Sequence, residues 1–160
     1  RGSVIPLFYQ QAQKGEQLTV TDPNMTRFIL TIDEAVDLIL LSLNSPMRGD
    51  VFIKRSPAAR LGDIAQAFSS NIRVIGKMRG EKLHEALISS EEFTRMTEAE
   101  NGYVIIGKDL IRSEYSKPYT SDLERLLSIA EIQQLSAKVL GVSQPTETLT
   151  MSMSQPVPHQ

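Results

Sequence analysis

The sequence predicts a helix-rich α/β protein, on three observations. Short β-rich runs alternate with helical patterns from about residue 18 to residue 106, two Ser/Thr-x-x-Glu capping boxes open helices, and Gly, Pro, Asp and Asn punctuate the joints. Taken in order, residues 3 to 14 place Pro6 in a first turn, apolar Val4, Leu7, Phe8 and Ala12 after it, and Gly15 just beyond, which suits a helix. Leu18 to Thr21 reads as a strand. Asp22-Pro23-Asn24 reads as a turn, because proline fixes φ while Asp and Asn side chains bond nearby backbone.

Thr31-Ile32-Asp33-Glu34 is a capping box, so a helix starts at Ile32. Ile32, Val36, Ile39, Leu40 and Leu43 follow at helical spacing, and the helix ends near Asn44, before Pro46. Val51 to Ile53 reads as a buried strand, residues 60 to 69 as a helix through Leu61, Ile64, Ala65 and Phe68, and Ile72 to Ile75 as a further strand. Residues 82 to 96 read as a helix with Leu83, Leu87 and Phe93 inward, and Tyr103 to Ile106 as the fourth strand. Ser128-Ile129-Ala130-Glu131 opens a last helix, which runs through Ile132, Leu135, Val139 and Leu140 to Gly141.

Composition narrows the function. The chain has 160 residues, 41% of them hydrophobic, enough for one core; 17 basic against 19 acidic residues, dispersed along it, leave no footprint for nucleic acid. It contains no cysteine, which excludes disulfides and thiolate chemistry and suits a reducing, cytoplasmic setting. The longest aliphatic stretch, residues 38 to 41, is far below the roughly 18 residues of a membrane span. Residues 142 to 160, rich in Ser, Thr, Pro and Gln, are expected to form a disordered tail, and the start at Arg1 suggests a fragment or processed product.

Self-contained catalytic machinery is absent from the pattern. There is no G-x-G-x-x-G, no Walker loop, no H-E-x-x-H, no G-x-S-x-G and no Tyr-x-x-x-Lys. No catalytic, cofactor-binding or metal residues are therefore assigned. His84 and Glu85, with Glu81 a turn earlier, are read as a solvated helix face rather than a metal site. Two places invite an anion. Arg27 follows a rigid turn and offers a planar fork of donors, although pairing with Asp22 or Asp33 is the simpler expectation. Lys77, Arg79 and Lys82 surround Gly76 and Gly80, where backbone can approach a ligand closely.

Four words, RGSVIPLF (1–8), LTVTDPNMTRF (18–28), GDVFIKRSPA (49–58) and GEKLHEALIS (80–89), resemble one family in order and spacing. It is the extended short-chain dehydrogenase/reductases that act as UDP-N-acetylglucosamine 4,6-dehydratases in bacterial capsule, O-antigen and pseudaminic acid synthesis. The resemblance covers roughly residues 1 to 106 and weakens beyond Lys108, where YTSDLERLLSIAEIQQL is similar to the family's closing helix.

It implies that residues 1 to 141 are the C-terminal part of an extended NAD(P)-binding Rossmann fold: a late sheet strand at Val51 to Ile53 plus a smaller substrate-binding domain. NADP and the catalytic groups would belong to an upstream domain of a homo-oligomeric cytoplasmic lyase. Its reaction removes hydride from sugar C4, loses water from C6, returns hydride to C6 and inverts C5. By the same resemblance Arg27 contacts the UDP diphosphate, Glu81 the ribose hydroxyls, and Pro6, Leu7, Val20 and Thr21 lie near the uracil. The family usually reads G-x-R-[PH]-G-E-K, whereas Gly76-Lys77-Met78-Arg79-Gly80-Glu81-Lys82 puts methionine at the arginine position and Arg79 one place later. A UDP-sugar 4-epimerase of the same fold and a noncatalytic nucleotide-sugar-binding module are the alternatives.

Overall fold

A computed structural model describes residues 3–44, 49–98, 103–107 and 117–141; the expected tail, Pro46, and the Arg1-Gly2 start of the first resembling word lie outside the described residues. The first helix, α1 (Val4–Gln13), carries Pro6 in its first turn, where a missing N–H costs no helical bond, and the chain leaves through Gly15 at φ 70°. Next come β1 (Leu18–Val20) and β2 (Thr26–Phe28), joined by the predicted turn, in which Met25 N–H donates to the Asp22 carbonyl and Asn24 N–H to the Asp22 carboxylate.

Helix α2 (Ile32–Leu43) has the predicted capping box: Thr31 Oγ1 accepts from Glu34 N–H, and the Glu34 carboxylate accepts from Thr31 N–H. It is followed by β3 (Val51–Lys54), β4 (Ala58–Arg60), α3 (Leu61–Gln66) and β5 (Ile72–Val74). The remaining elements are β6 (Ala86–Ile88), α4 (Ser90–Phe93), β7 (Met96–Glu98), β8 (Tyr103–Ile106), β9 (Tyr119–Thr120) and α5 (Ile129–Leu140). Helix α5 also has its predicted box, with Glu131 N–H donating to Ser128 Oγ, and stops at Gly141 in the left-handed region.

The predicted helix over 82–96 is not there. Strand β6 occupies its middle, and only the four residues of α4 are helical, behind a third capping box made by Ser89 and Glu92. The i,i+4 spacing of Leu83 and Leu87 imitates a helix, but Leu87 is exposed, Ile88 is buried, and the backbone of Ala86 and Ile88 pairs with Thr120 and Tyr119. A partner more than thirty residues away overrode a weak local pattern. Five strands went unpredicted for a related reason. Strands β2, β4, β6, β7 and β9 are two or three residues long, too few alternations to show a period of two, whereas β1 and β5, equally short in the fold, sit in the four-residue β-rich runs Leu18 to Thr21 and Ile72 to Ile75.

Strands β1 and β5 are parallel, in the register Leu18–Ile72 and Val20–Val74. The other pairs are antiparallel: β2 with β4, β6 with β9, and a three-stranded sheet ordered β3-β8-β7. Val51–Lys54 thus pairs antiparallel with β8, and its second edge meets no strand among the described residues. A place for β3 in a larger parallel sheet would have to use that edge.

The main core joins Phe8 of α1, Leu18 and Val20 of β1, Ala59 of β4, Ile64 and Ala65 of α3, and Ile132 of α5. Ile53, Ile88 and Ile106 form a smaller one. Gly62 lets the 22–25 turn approach α3 closely. A Cβ there would stand 2.9 Å from Pro23 Cβ and 3.1 Å from the Pro23 carbonyl oxygen, which instead accepts Gly62 N–H at 3.0 Å. The 22–25 turn is thereby seated on α3. Among the described residues no helix is long and apolar enough to cross a membrane.

Candidate functional site

Strands β1 and β5 end side by side, and the ladder continues one residue further where Ile75 N–H donates to the Val20 carbonyl at 2.9 Å. Thr21 and Gly76 therefore leave the sheet together at its carboxyl edge. In α/β architecture this is where ligands bind, because loops diverge beyond parallel strands and open a crevice. Val20 is buried and fixes the strand, while Thr21 is half-buried, its hydroxyl 3.5 Å from Met25 Sδ.

The loop leaving β5 is shaped by two glycines, Gly76 at φ 88° and Gly80 at φ 87°. Neither is crowded, so it is backbone conformation and not space that calls for glycine there. Between them Lys77, Met78 and Arg79 are exposed. Glu81 closes the loop: its carboxylate accepts Met78 N–H at 2.8 Å, and its own N–H donates to the Met78 carbonyl at 3.2 Å. In this conformation one carboxylate oxygen of Glu81 is engaged by the loop itself.

Arg27 sits behind this loop on β2, its side chain three-quarters covered. Nη1 donates to the carbonyls of Thr26 (2.7 Å) and Leu83 (3.3 Å), Nη2 to the Lys82 carbonyl (3.1 Å) and Met25 Sδ (3.3 Å), and Nε faces the Glu85 carboxylate at 3.4 Å. A guanidinium has five N–H donors; here the four on Nη1 and Nη2 are hydrogen-bonded within the protein, and Nε faces a carboxylate. The acidic partner is Glu85, in place of the Asp22 or Asp33 expected from sequence. Arg27 thus ties β2 to residues 82–85 and holds the far end of the loop.

Beside it lies a polar cluster that sequence reasoning missed. Thr26 Oγ1 is 2.8 Å from His84 Nδ1 and 2.6 Å from Ser121 Oγ, and Ser121 Oγ accepts Glu85 N–H at 3.0 Å. In the sequence His84 stands in the resembling word GEKLHEALIS and in the helix expected over 82–96, but no local signal links it to Thr26, 58 residues away. Among the described residues no group of acidic or histidine side chains is placed to hold a metal.

Pro6 and Leu7 belong to α1, which packs on β1 through the buried Phe8, and Leu7 leaves that contact 51% exposed. A groove of about 370 Å³ lies elsewhere, between α5 and the start of α2, lined by Ile29, Glu34, Pro57, Arg125, Glu131 and Lys138. Lys54 Nζ, 2.6 Å away, and the Thr31 N–H hold the Glu34 carboxyl down at about 2. None of the residues nominated from sequence lines this groove.

Comparison with known proteins adds the family. A family model described as "Polysaccharide biosynthesis protein" matches residues 1–107. The chain is similar to the UDP-glucose 4-epimerase of Rickettsia massiliae (strain Mtu5), 36% identical over 153 residues, covering 84% of this chain and 45% of the relative. The UDP-glucose 4-epimerase of Rickettsia typhi (strain ATCC VR-144 / Wilmington) is 38% identical over 154 residues at the same coverage. The X-ray structure of Pen from Bacillus thuringiensis superposes with a TM-score of 0.72 at 30% identity, over 88% of this chain and 45% of that one. The chain thus spans about half the length of the relatives it matches.

Proposed function

The chain belongs to the polysaccharide biosynthesis protein family of extended short-chain dehydrogenase/reductases, and from that premise we propose that it is the UDP-sugar-binding part of a UDP-N-acetylglucosamine 4,6-dehydratase. The observation that carries the reading is the shared exit of Thr21 and the glycine-bracketed 76–81 loop at the carboxyl edge of β1 and β5. A nucleoside diphosphate fits that crevice by its chemistry. Arg79 and Lys77 bring positive charge on a loop whose backbone is open to close approach, Glu81 has one carboxylate oxygen left for ribose hydroxyls, and half-buried Thr21, with the buried Val20 behind it, is the wall for a base. Pro6 and Leu7 on α1 are assigned to the same base subsite by the family resemblance alone. In this reading Arg27 acts on the diphosphate through the loop it secures, its own donors being taken up by carbonyls.

The four resembling words favour the dehydratase, while the names of the Rickettsia relatives favour a UDP-sugar 4-epimerase. Both chemistries begin by oxidising C4 of the sugar, so both ask the same of these residues: hold the nucleotide and aim the sugar. Nothing among the described residues cradles a dinucleotide. Gly76 and Gly80 bracket a loop already closed by Glu81 and do not form a G-x-G-x-x-G turn into a helix.

Calorimetric titration of the chain with UDP and UDP-N-acetylglucosamine tests the binding reading. Arg79→Ala is expected to weaken both about 10- to 100-fold, the loss of one charge-assisted phosphate contact. Equal affinity in wild type and Arg79→Ala would take the diphosphate away from this loop. Product analysis of the full-length enzyme separates the two chemistries, since a 4-keto-6-deoxy sugar supports the dehydratase and a C4 epimer overturns it.

A further inference from the structure

We propose that the buried Thr26–Ser121 hydroxyl pair fixes His84 as its Nδ1–H tautomer, so that His84 presents an unprotonated Nε2 as acceptor for a hydroxyl of the bound sugar nucleotide. The tautomer stands on the hydrogen-bond geometry alone; its use toward a ligand rests on the reading above.

The argument is a count of protons. Ser121 is fully buried and Thr26 is 3% exposed, so neither hydroxyl has water to turn to. Four contacts converge on them: Glu85 N–H to Ser121 Oγ at 3.0 Å, Ser121 Oγ to the Thr26 carbonyl at 3.0 Å, Ser121 Oγ to Thr26 Oγ1 at 2.6 Å, and Thr26 Oγ1 to His84 Nδ1 at 2.8 Å. Each hydroxyl owns one proton. If Ser121 gives its proton to the Thr26 carbonyl, Thr26 must give its own to Ser121 Oγ, and the contact with His84 is a hydrogen bond only if Nδ1 is the donor. Every contact is then satisfied.

The opposite polarity runs from Ser121 to Thr26 Oγ1 and from Thr26 to a bare Nδ1. It leaves Ser121 Oγ and the Thr26 carbonyl facing each other at 3.0 Å with no proton between them. Losing one buried hydrogen bond disfavours that arrangement by roughly tenfold in population.

The other ring nitrogen is then the chemically available one. Among the described residues Nδ1 is hydrogen-bonded and Nε2 is not. His84 is half-buried, three residues beyond Glu81, and it directly follows Lys82 and Leu83, whose carbonyls Arg27 holds. Its ring is thus oriented by the Thr26 hydroxyl of β2, which Ser121 holds in turn. A neutral imidazole so fixed accepts from a ligand hydroxyl through Nε2. Protonation would add a donor there without disturbing the hydroxyl pair.

Long-range 1H–15N NMR of the full 160-residue chain, labelled at histidine, reads the tautomer directly. The spectrum is taken about two units above the ordinary histidine pKa of about 6.5, with His159→Gln to assign the signals. Nδ1 of His84 should appear protonated and Nε2 bare. Ser121→Ala frees the Thr26 proton for Nδ1, so the tautomer should invert, whereas Thr26→Ser keeps the hydroxyl and the original form. Backbone amide spectra show which variants are folded, and Thr26→Ser answers if Ser121→Ala is not.

A wild-type His84 carrying its proton on Nε2 overturns the proposal. Addition of UDP-N-acetylglucosamine should then shift the Nε2 resonance without inverting the tautomer. Binding that leaves Nε2 unmoved overturns the acceptor role alone. No binding at all removes that role together with the proposed function, while the ligand-free tautomer still stands or falls on the first spectrum.

Discussion

Helices α2 and α5 are twelve residues each, open with the same kind of capping box and carry an apolar face, yet they are used differently. Helix α5 buries Ile132 and Ser136 against α3 and closes the main core. Helix α2 buries no residue: Val36, Ile39 and Leu40 form an exposed stripe that runs from Ile32, 76% exposed, to Leu43, 74% exposed. Local sequence thus specifies that a helix forms and which face is apolar. It does not specify what covers that face, because cover is a property of the rest of the fold.

The comparison can be broken by paired substitutions. Ile132→Ala should cost about 2–5 kcal/mol in urea or thermal unfolding, the range for a core cavity, while Ile39→Ala should stay within about 0.5 kcal/mol. Equal losses would mean that the stripe on α2 is covered in solution. A smaller effect sharpens the contrast at the caps. Ser128→Ala and Thr31→Ala each remove a hydroxyl acceptor worth about 1 kcal/mol to its helix. For α5 the loss should appear in global stability, whereas for α2, with so little packing behind it, it should appear as lost helical circular dichroism with the main transition unchanged.

The smallest effect is with acid. Glu34 and Glu131 are both held at about 2, Glu34 chiefly by Lys54 and then the Thr31 N–H, Glu131 chiefly by the Ser128 N–H and then Arg125. A carboxylate depressed in the fold stabilises it above the unfolded value and stops doing so as pH falls through the folded one. Both caps should therefore weaken between about pH 4.5 and 2. Glu34→Gln should flatten that dependence in the helical signal, and Glu131→Gln in the unfolding midpoint.

Elements with local chemistry at their ends were visible in the sequence. The caps at Thr31 and Ser128 and Pro6 with Gly15 act within a few residues of themselves, and β1, β3, β5 and β8, although each pairs with a distant strand, are announced by their own β-rich runs. Strand β6 carries no such run: Leu83 and Leu87 imitate helical spacing, and only pairing with β9 makes the segment a strand. The site divides the same way. Glycines 76 and 80 announced an unusual loop, and both have positive φ. The occupation of Arg27 by carbonyls of residues 82 and 83, and the Thr26–Ser121–His84 cluster, depend on contacts spanning 55 to 95 residues that no short motif encodes.

The loop from Ile75 to Leu83 is tethered twice, by the Val20 carbonyl at one end and by Arg27 at the other. Between those anchors Lys77, Met78 and Arg79 project from a frame that their own side chains do not build. Such an arrangement separates inheritance from innovation: the frame can be kept while three tip residues are exchanged. Substitutions at those three exposed tip positions are then expected to change what the loop can meet while leaving the stability of the fold within about 0.5 kcal/mol.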